Sequence, residues 1–176
     1  MKYFFFLGLI IFSNSYAQKY SVQKSEITFF SEAVLENITA TAKKCGGLID
    51  LSNEEFAFSV PIKEFEFRKS LMKEHFNEKY MESEKYPRAT FVGKMNGFDS
   101  QLMSSQKISA NGKLTIHGVT RDVEIPATIS KHESHYRIQA EFIVKLEDYK
   151  ITIPQLLLQN IAEQVKVTVD FTMTPQ

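Results

Sequence analysis

The sequence has few of the residues that crosslink small exported domains or mark a metal centre. Its 176 residues include one Cys, no Trp, seven Gly and five Pro. A single thiol excludes an intramolecular disulfide and a cysteine-cluster metal site. Because 21 basic side chains balance 21 acidic ones, no excess of positive charge favours nucleic acid as a partner. The length fits one domain that buries a substantial core.

A long hydrophobic run is also missing, and the strongest apolar stretch lies at the amino end. Tyr3–Phe12 is ten residues long and follows a basic start, whereas a bilayer span takes about 20 residues. The segment Ser15–Ala17 has small residues at the two positions that a signal peptidase reads. We therefore predict a cleaved secretory signal over 1–17, with cleavage after Ala17, and one mature domain over 18–176 in the periplasm or outside the cell.

Alternation of apolar and polar residues dominates the mature chain. It is clearest in four segments, 107–116, 119–129, 136–146 and 165–173. Five less regular segments also read as strands or strand pairs: 20–30, 34–43, 47–51, 54–67 and 88–98. Such a period of two is typical of half-buried antiparallel strands. About eight such strands predict an all-β closed barrel or sandwich.

The change of parity at His117-Gly118 predicts a hairpin with a two-residue loop. In that register Ile116 pairs with Val119 on the inner face, and Gly118 supplies a positive φ. Lys113 then lies opposite Asp122 on the outer face, where the pair is favourable. Arg121 falls opposite Leu114, on the inner face. It either reaches water along its stem at the barrel rim or binds a head group or an internal carboxylate at the mouth.

One helix interrupts the strands. Over 68–80, Met72, Phe76 and Tyr80 recur at every fourth position, which predicts an amphipathic helix with one apolar face. The segment 154–159 is a candidate for a further short turn of helix. The charged stretch 78–85 is interpreted as a solvated helix end.

Three motifs carry a resemblance to a known family. Leu114–Arg121 reads Leu-Thr-Ile-His-Gly-Val-Thr-Arg, and Met72–Phe76 is followed by Tyr86–Phe91, which reads Tyr-Pro-Arg-Ala-Thr-Phe. With the closing Ile161–Val167, these segments resemble the YceI-like, polyisoprenoid-binding periplasmic proteins. The likeness spans 20–174, nearly the whole mature chain.

The resemblance implies a lipocalin-like, eight-stranded antiparallel β-barrel whose cavity holds an isoprenoid or similar long-chain lipid. It implies no cofactor and no catalytic machinery, and self-association into a homodimer is left open. The residues expected to bind lipid are Phe58, Met72, Phe76, Phe91, Leu114, Ile116, Arg121, Phe142 and Val144. The chain departs from its relatives over Glu78–Ser83, where they often carry an Asp-Phe-Phe-Asp-like stretch. These residues are expected at the mouth of the cavity, so the mouth is where this chain is expected to differ from its relatives.

Other classes of function stay open at this point. A filled barrel would serve as a stress or interaction module without a ligand, and an outer-membrane barrel shares the period of two. A small hydrolase or isomerase would need His75, His117 and a carboxylate to converge. His132 and His135 lack a third metal ligand, so no metal is expected there. Cys45, beside two Gly, is interpreted as a bystander at a turn.

Overall fold

The computed structural model describes residues 19–32, 36–99, 101–102, 104–153 and 162–176. The predicted signal segment with its cleavage point at Ala17 and the predicted helical turn at 154–159 lie outside these residues. Both features therefore remain predictions.

Within the described residues the chain forms ten strands. They are β1 (Lys19–Ser31), β2 (Ile38–Ala42), β3 (Gly46–Asp50), β4 (Glu55–Pro61), β5 (Glu66–Phe67), β6 (Arg88–Asn96), β7 (Gln106–Ile116), β8 (Val119–His132), β9 (His135–Lys145) and β10 (Gln164–Pro175). Eight of them close a ring in the order β1, β3, β4, β6, β7, β8, β9, β10, and β10 pairs with β1. The short β2 and β5 extend the wall beside β1. The predicted antiparallel eight-stranded barrel is confirmed.

The hairpin between β7 and β8 has the predicted register. Ile116 pairs with Val119, and the loop residues His117 and Gly118 have φ values of 51° and 72°. A left-handed conformation at both loop positions matches the right-handed twist of the strands it joins. Lys113 Nζ lies 2.9 Å from Asp122 Oδ1, so the predicted cross-strand ion pair also forms.

A 3-10 turn interrupts the chain directly after Pro61. The turn spans Ile62–Glu64 between β4 and β5, and the side chains of Ile62 and Phe65 are both buried. The residues of the turn pair with no neighbouring strand. The inward-facing positions can therefore be even-numbered before the turn and odd-numbered after it.

The helix differs in form from the prediction. An α-helix, α1, spans Ser70–His75, and a π-helical turn continues it over Phe76–Tyr80. The Met81 backbone N–H donates to the Phe76 carbonyl at 2.8 Å, five residues back. The predicted amphipathic helix is confirmed; it begins at Ser70, two residues later than expected, and its last turn is π-helical. Apolar periodicity finds the helix but does not distinguish the wider turn.

Pairing between β8 and β9 covers only part of their length. It runs from Ala127 and Ala140 to the hairpin end at His132 and His135. Beyond Ala140, β9 continues against β10, while the first half of β8 continues against β7. A 3-10 turn over Glu147–Tyr149 packs against both strands at this separation, with Tyr149 almost fully buried.

Buried side chains form two clusters inside the barrel. One is centred on residues such as Phe56, Met95 and Phe171, and the other includes Leu114 and Val144. Five partly buried side chains pack against both clusters: Phe76, Ala89, Phe91, Val123 and Phe142. Partial exposure at side chains that face the interior shows that the barrel is not packed solid.

Candidate functional site

A cavity of about 550 Å³ occupies the barrel interior. Inward residues of the strands line it together with the inner face of the helical segment. Most lining side chains are Phe, Ile, Val, Leu, Ala or Met, and the few polar ones include Ser59 and Thr90. A cavity of this size and lining is typical of a site for one apolar ligand.

The structure brings together eight of the nine residues that the sequence predicts for lipid binding. The eight that line the cavity are Phe58, Met72, Phe76, Phe91, Leu114, Ile116, Phe142 and Val144. They come from β4, the helical segment, β6, β7 and β9, and the barrel closes them around one space. Their contact with a lipid stays a prediction.

Arg121 is the exception and requires a correction. Its side chain is 53% exposed and does not line the cavity. Its Nε donates to the Asp148 carbonyl at 2.9 Å, so the guanidinium holds the 3-10 turn beside the separated part of β8. The predicted pairing with Leu114 is present, but at the strand end the long side chain leaves the interior for this turn. These contacts support a role for Arg121 in positioning the 3-10 turn at the surface, and not contact with a lipid.

Phenylalanine rings form two groups on the cavity wall. In one, Phe29 and Phe67 contact the Phe76 ring at centroid distances of 5.5 and 5.0 Å. In the other, Phe56 lies 4.7 Å from Phe91, and Phe58 lies 5.0 Å from Phe171. All of these rings also line the cavity. They pack against one another at the wall and do not fill the cavity that they line.

Glycine makes room for one of these rings. Gly47 pairs with Phe58 across β3 and β4, and a Cβ on Gly47 would lie 2.2 Å from Phe58 Cδ1. The ring therefore occupies the place that any other side chain at position 47 would need. A small residue in β3 thus sets the orientation of a lining ring in β4.

Two charged residues of the cavity lining are exposed and mark its mouth. Glu36 lies just before β2, and Lys79 lies in the π-helical turn. Lys69 Nζ binds both Glu36 carboxylate oxygens at 2.7 Å, which neutralises that acid. His75 and Tyr80 line the cavity beside Lys79.

His75 and Lys79 are lining residues that were not predicted, although their spacing could have identified them. They lie three and seven residues after Met72, positions that an amphipathic helix turns to the same side as Met72 and Phe76. Lys79 was interpreted as part of a solvated charge run because its neighbours are charged. The helical period, not the local charge, decides which side chains face the cavity.

His117 holds three segments together away from the cavity. Its Nε2 lies 2.9 Å from Glu82 Oε2, and its Nδ1 lies 3.2 Å from the Tyr149 carbonyl oxygen. The Tyr86 ring packs edge-on against the imidazole at 4.6 Å. These contacts connect the β7–β8 hairpin to the loop before β6 and to the 3-10 turn after β9. His75 lines the cavity and His117 does not, so the pair does not form the site that a hydrolase or isomerase would need.

Cys45 lies on the cavity wall with little exposure. Burial raises the pKa of its thiol to about 11, against a smaller opposing effect of the hydrogen bond with the Ser59 backbone. A thiol in this environment stays protonated and is a poor nucleophile. The bystander interpretation is consistent with this placement.

The described residues contain neither a cluster of metal ligands nor a helix that could cross a membrane. Within them no three His, Cys, Asp or Glu side chains come together as a metal site; the His132 and His135 rings stack on each other at 5.4 Å. No helix in the same part of the chain is both long and apolar enough to cross a membrane.

An antiparallel barrel with one apolar interior cavity and a polar mouth defines the class of small-ligand-binding β-barrels. A family model for the YceI-like domain matches residues 19–173. The chain belongs to the YceI-like family. No curated protein matches it.

Solved structures show the same fold at low sequence identity. A polyisoprenoid-binding domain from Saccharophagus degradans has a TM-score of 0.77 and 16% identity, over 89% of this chain and 98% of that one. Burkholderia cenocepacia BcnA has a TM-score of 0.72 and 17% identity, over 84% and 95%. A Campylobacter jejuni YceI protein has a TM-score of 0.56 and 14% identity, over 100% and 99%.

Proposed function

We propose that the protein is an exported lipid carrier or sequestering protein that holds one isoprenoid or similar long-chain amphiphile non-covalently. The observation that carries the proposal is the apolar cavity of about 550 Å³ inside the barrel. Family membership supports it, because a structural relative from Saccharophagus degradans is described as a polyisoprenoid-binding domain. In this proposal the protein needs no cofactor and performs no chemistry.

Filling the cavity tests the proposal. Ala140 lines the cavity and is half-buried, so Ala140→Phe places a ring in the ligand space. Ala57→Phe is the matched control, because Ala57 is exposed and does not line the cavity. We expect wild type and Ala57→Phe to carry an extractable long-chain lipid in native mass spectrometry and Ala140→Phe to carry much less. Circular dichroism checks that both variants fold.

The outcome that would contradict the proposal is a wild-type protein that carries no lipid and binds no added long-chain amphiphile. That result would favour a barrel that serves as a ligand-free stress or interaction module. Equal lipid loading of wild type and Ala140→Phe would place the ligand outside this cavity.

Export is part of the proposal and has its own test. The predicted signal peptide supports a periplasmic or secreted protein. Protein isolated from an envelope fraction without detergent should begin at Gln18, as read by intact mass. Retention of residues 1–17, or recovery only with detergent, would contradict this. Light scattering on the same sample determines whether the protein is a monomer or a homodimer.

A further inference from the structure

Lys79 differs from the other charged residue of the cavity lining. Glu36 is held by Lys69, but Lys79 makes no ion pair within the described part of the chain. The cavity mouth therefore has a cation that no carboxylate of the described residues neutralises. The remaining wall is almost entirely apolar, so this cation is the main electrostatic feature that a ligand in the cavity would meet.

Two hydrogen-bonding side chains line the cavity next to Lys79. His75 lies one helical turn before it, and the Tyr80 side chain follows it directly. An ammonium group, an imidazole and a phenol hydroxyl can all donate hydrogen bonds. The backbone bond from Met81 to Phe76 fixes the turn that carries Lys79 and Tyr80. The mouth is thus suited to an acceptor-rich, anionic group.

The cavity volume is sufficient for the apolar part of a single-chain ligand. One water molecule occupies about 30 Å³ in the liquid, and a methylene group is of similar size. A cavity of about 550 Å³ therefore has room for at least one ordinary acyl chain of about 18 carbons, and its open mouth sets no upper limit on the length of the chain.

We propose that the cavity takes a single-chain amphiphile whose anionic head group lies at the mouth against Lys79. The inference rests on the proposed function and narrows its ligand class. The chain lies among the Phe, Ile and Val side chains of the wall, and the carboxylate or phosphate of the head accepts hydrogen bonds from Lys79, His75 and Tyr80. Glu36 does not repel the head, because Lys69 neutralises it.

Matched ligands and variants separate the head group from the chain. Hexadecanoate and hexadecanol share one chain and differ in head charge, and each is titrated against delipidated protein by displacement of a fluorescent apolar probe. The variant is Lys79→Gln, and the control is Lys24→Gln, because Lys24 is exposed on β1 and does not line the cavity. We expect Lys79→Gln to weaken hexadecanoate binding about fivefold, as for a partly exposed ion pair. Hexadecanol binding should change in neither variant.

The outcomes distinguish this inference from the proposed function. If Lys79→Gln leaves hexadecanoate affinity unchanged, or weakens acid and alcohol equally, the anionic head is wrong while lipid binding stands. If the protein binds none of these chains, the proposed function itself fails. Loss of the fivefold effect in high salt is a further expected result, because screening weakens an exposed ion pair.

Discussion

At the scale of single residues, the buried thiol of Cys45 provides a probe of the cavity wall. With its pKa raised to about 11 by burial, only about one thiol in a thousand is ionised at pH 8. We expect folded protein to react with a disulfide reagent at least about a hundredfold more slowly than the chain unfolded in urea. The absorbance of the released thiol measures both rates. Equal rates would show that Cys45 is exposed and its thiol readily ionised.

Asp170 on β10 provides a pH-dependent contribution to stability. Its carboxylate accepts hydrogen bonds from Arg137 and from Gln139 of β9, and the bond to Arg137 is the main cause of its lowered pKa. Because this pKa is lower in the folded than in the unfolded chain, the contribution is present above pH of about 4 and is lost as the pH falls through the folded value. Asp170→Asn should therefore lower the midpoint of thermal unfolding by a few degrees at pH 7 and by less at low pH.

A second surface pair provides the control for Asp170. The Asp122 side chain is 82% exposed and bonds to Lys113, whereas the Asp170 side chain is 36% exposed and has two partners. Exposed ion pairs contribute little to stability. Asp122→Asn should leave the midpoint nearly unchanged at both pH values. A midpoint for Asp170→Asn that stays below wild type by the same amount at pH 7 and at low pH would contradict the assignment.

At the scale of elements, paired glycines bring β6 and β7 unusually close together. Gly93 pairs with Gly112, and a Cβ on Gly112 would lie 2.3 Å from the Val92 carbonyl oxygen. Backbone cannot move aside as the end of a side chain can, so Gly112→Ala should lower the free energy of unfolding by about 3 kcal/mol. Gly46→Ala is the control, because a Cβ there has nothing within 4 Å. Urea denaturation measures both, and equal stabilities would contradict the close approach.

The strands and the helix also show which structural features the periodicity of the sequence predicts. Alternation identified the strands and the parity change identified the hairpin, because each inward residue of a strand must be apolar where the interior is dry. Periodicity identified the helical segment but not its π-helical turn, since the same residues face inward in either form. The placement of Arg121 depended on where a long side chain ends, and a pattern of Cα positions does not specify that.

At the scale of the whole molecule, the cavity follows from how the barrel closes and not from any one motif. The inward volumes, with Ala and Gly beside Phe, were compatible with a filled or a hollow barrel. Separation of β8 from β9 and the 3-10 turn that packs there are long-range features, so no local stretch of sequence predicts them. The family resemblance supplied the expectation of a cavity, and its predicted lining residues followed from strand parity and from the period of the helix.

Closure of the barrel joins the two ends of the described chain. Ser21 of β1 pairs with Thr174 of β10, and the Gln176 backbone N–H donates to the Lys19 carbonyl at 3.0 Å. Neighbouring antiparallel residues have Cα atoms about 4.5 to 5.5 Å apart, which a disulfide can bridge. A Ser21→Cys, Thr174→Cys pair would therefore fit without large backbone movement and would close almost the whole chain into one loop.

The loop length predicts how much that crosslink stabilises the barrel. In the chain-entropy account, a loop longer than 100 residues gives about 5 kcal/mol, whereas a hairpin loop of about ten residues gives less than 3 kcal/mol. In a Cys45→Ala background, the oxidised Ser21→Cys, Thr174→Cys protein should gain about 2 kcal/mol more than an oxidised Lys113→Cys, Asp122→Cys protein, since Lys113 and Asp122 pair within one hairpin. Denaturant unfolding of oxidised and reduced forms measures both gains. Equal gains would mean that β1 and β10 are already held together in the unfolded chain, or that closure does not limit stability.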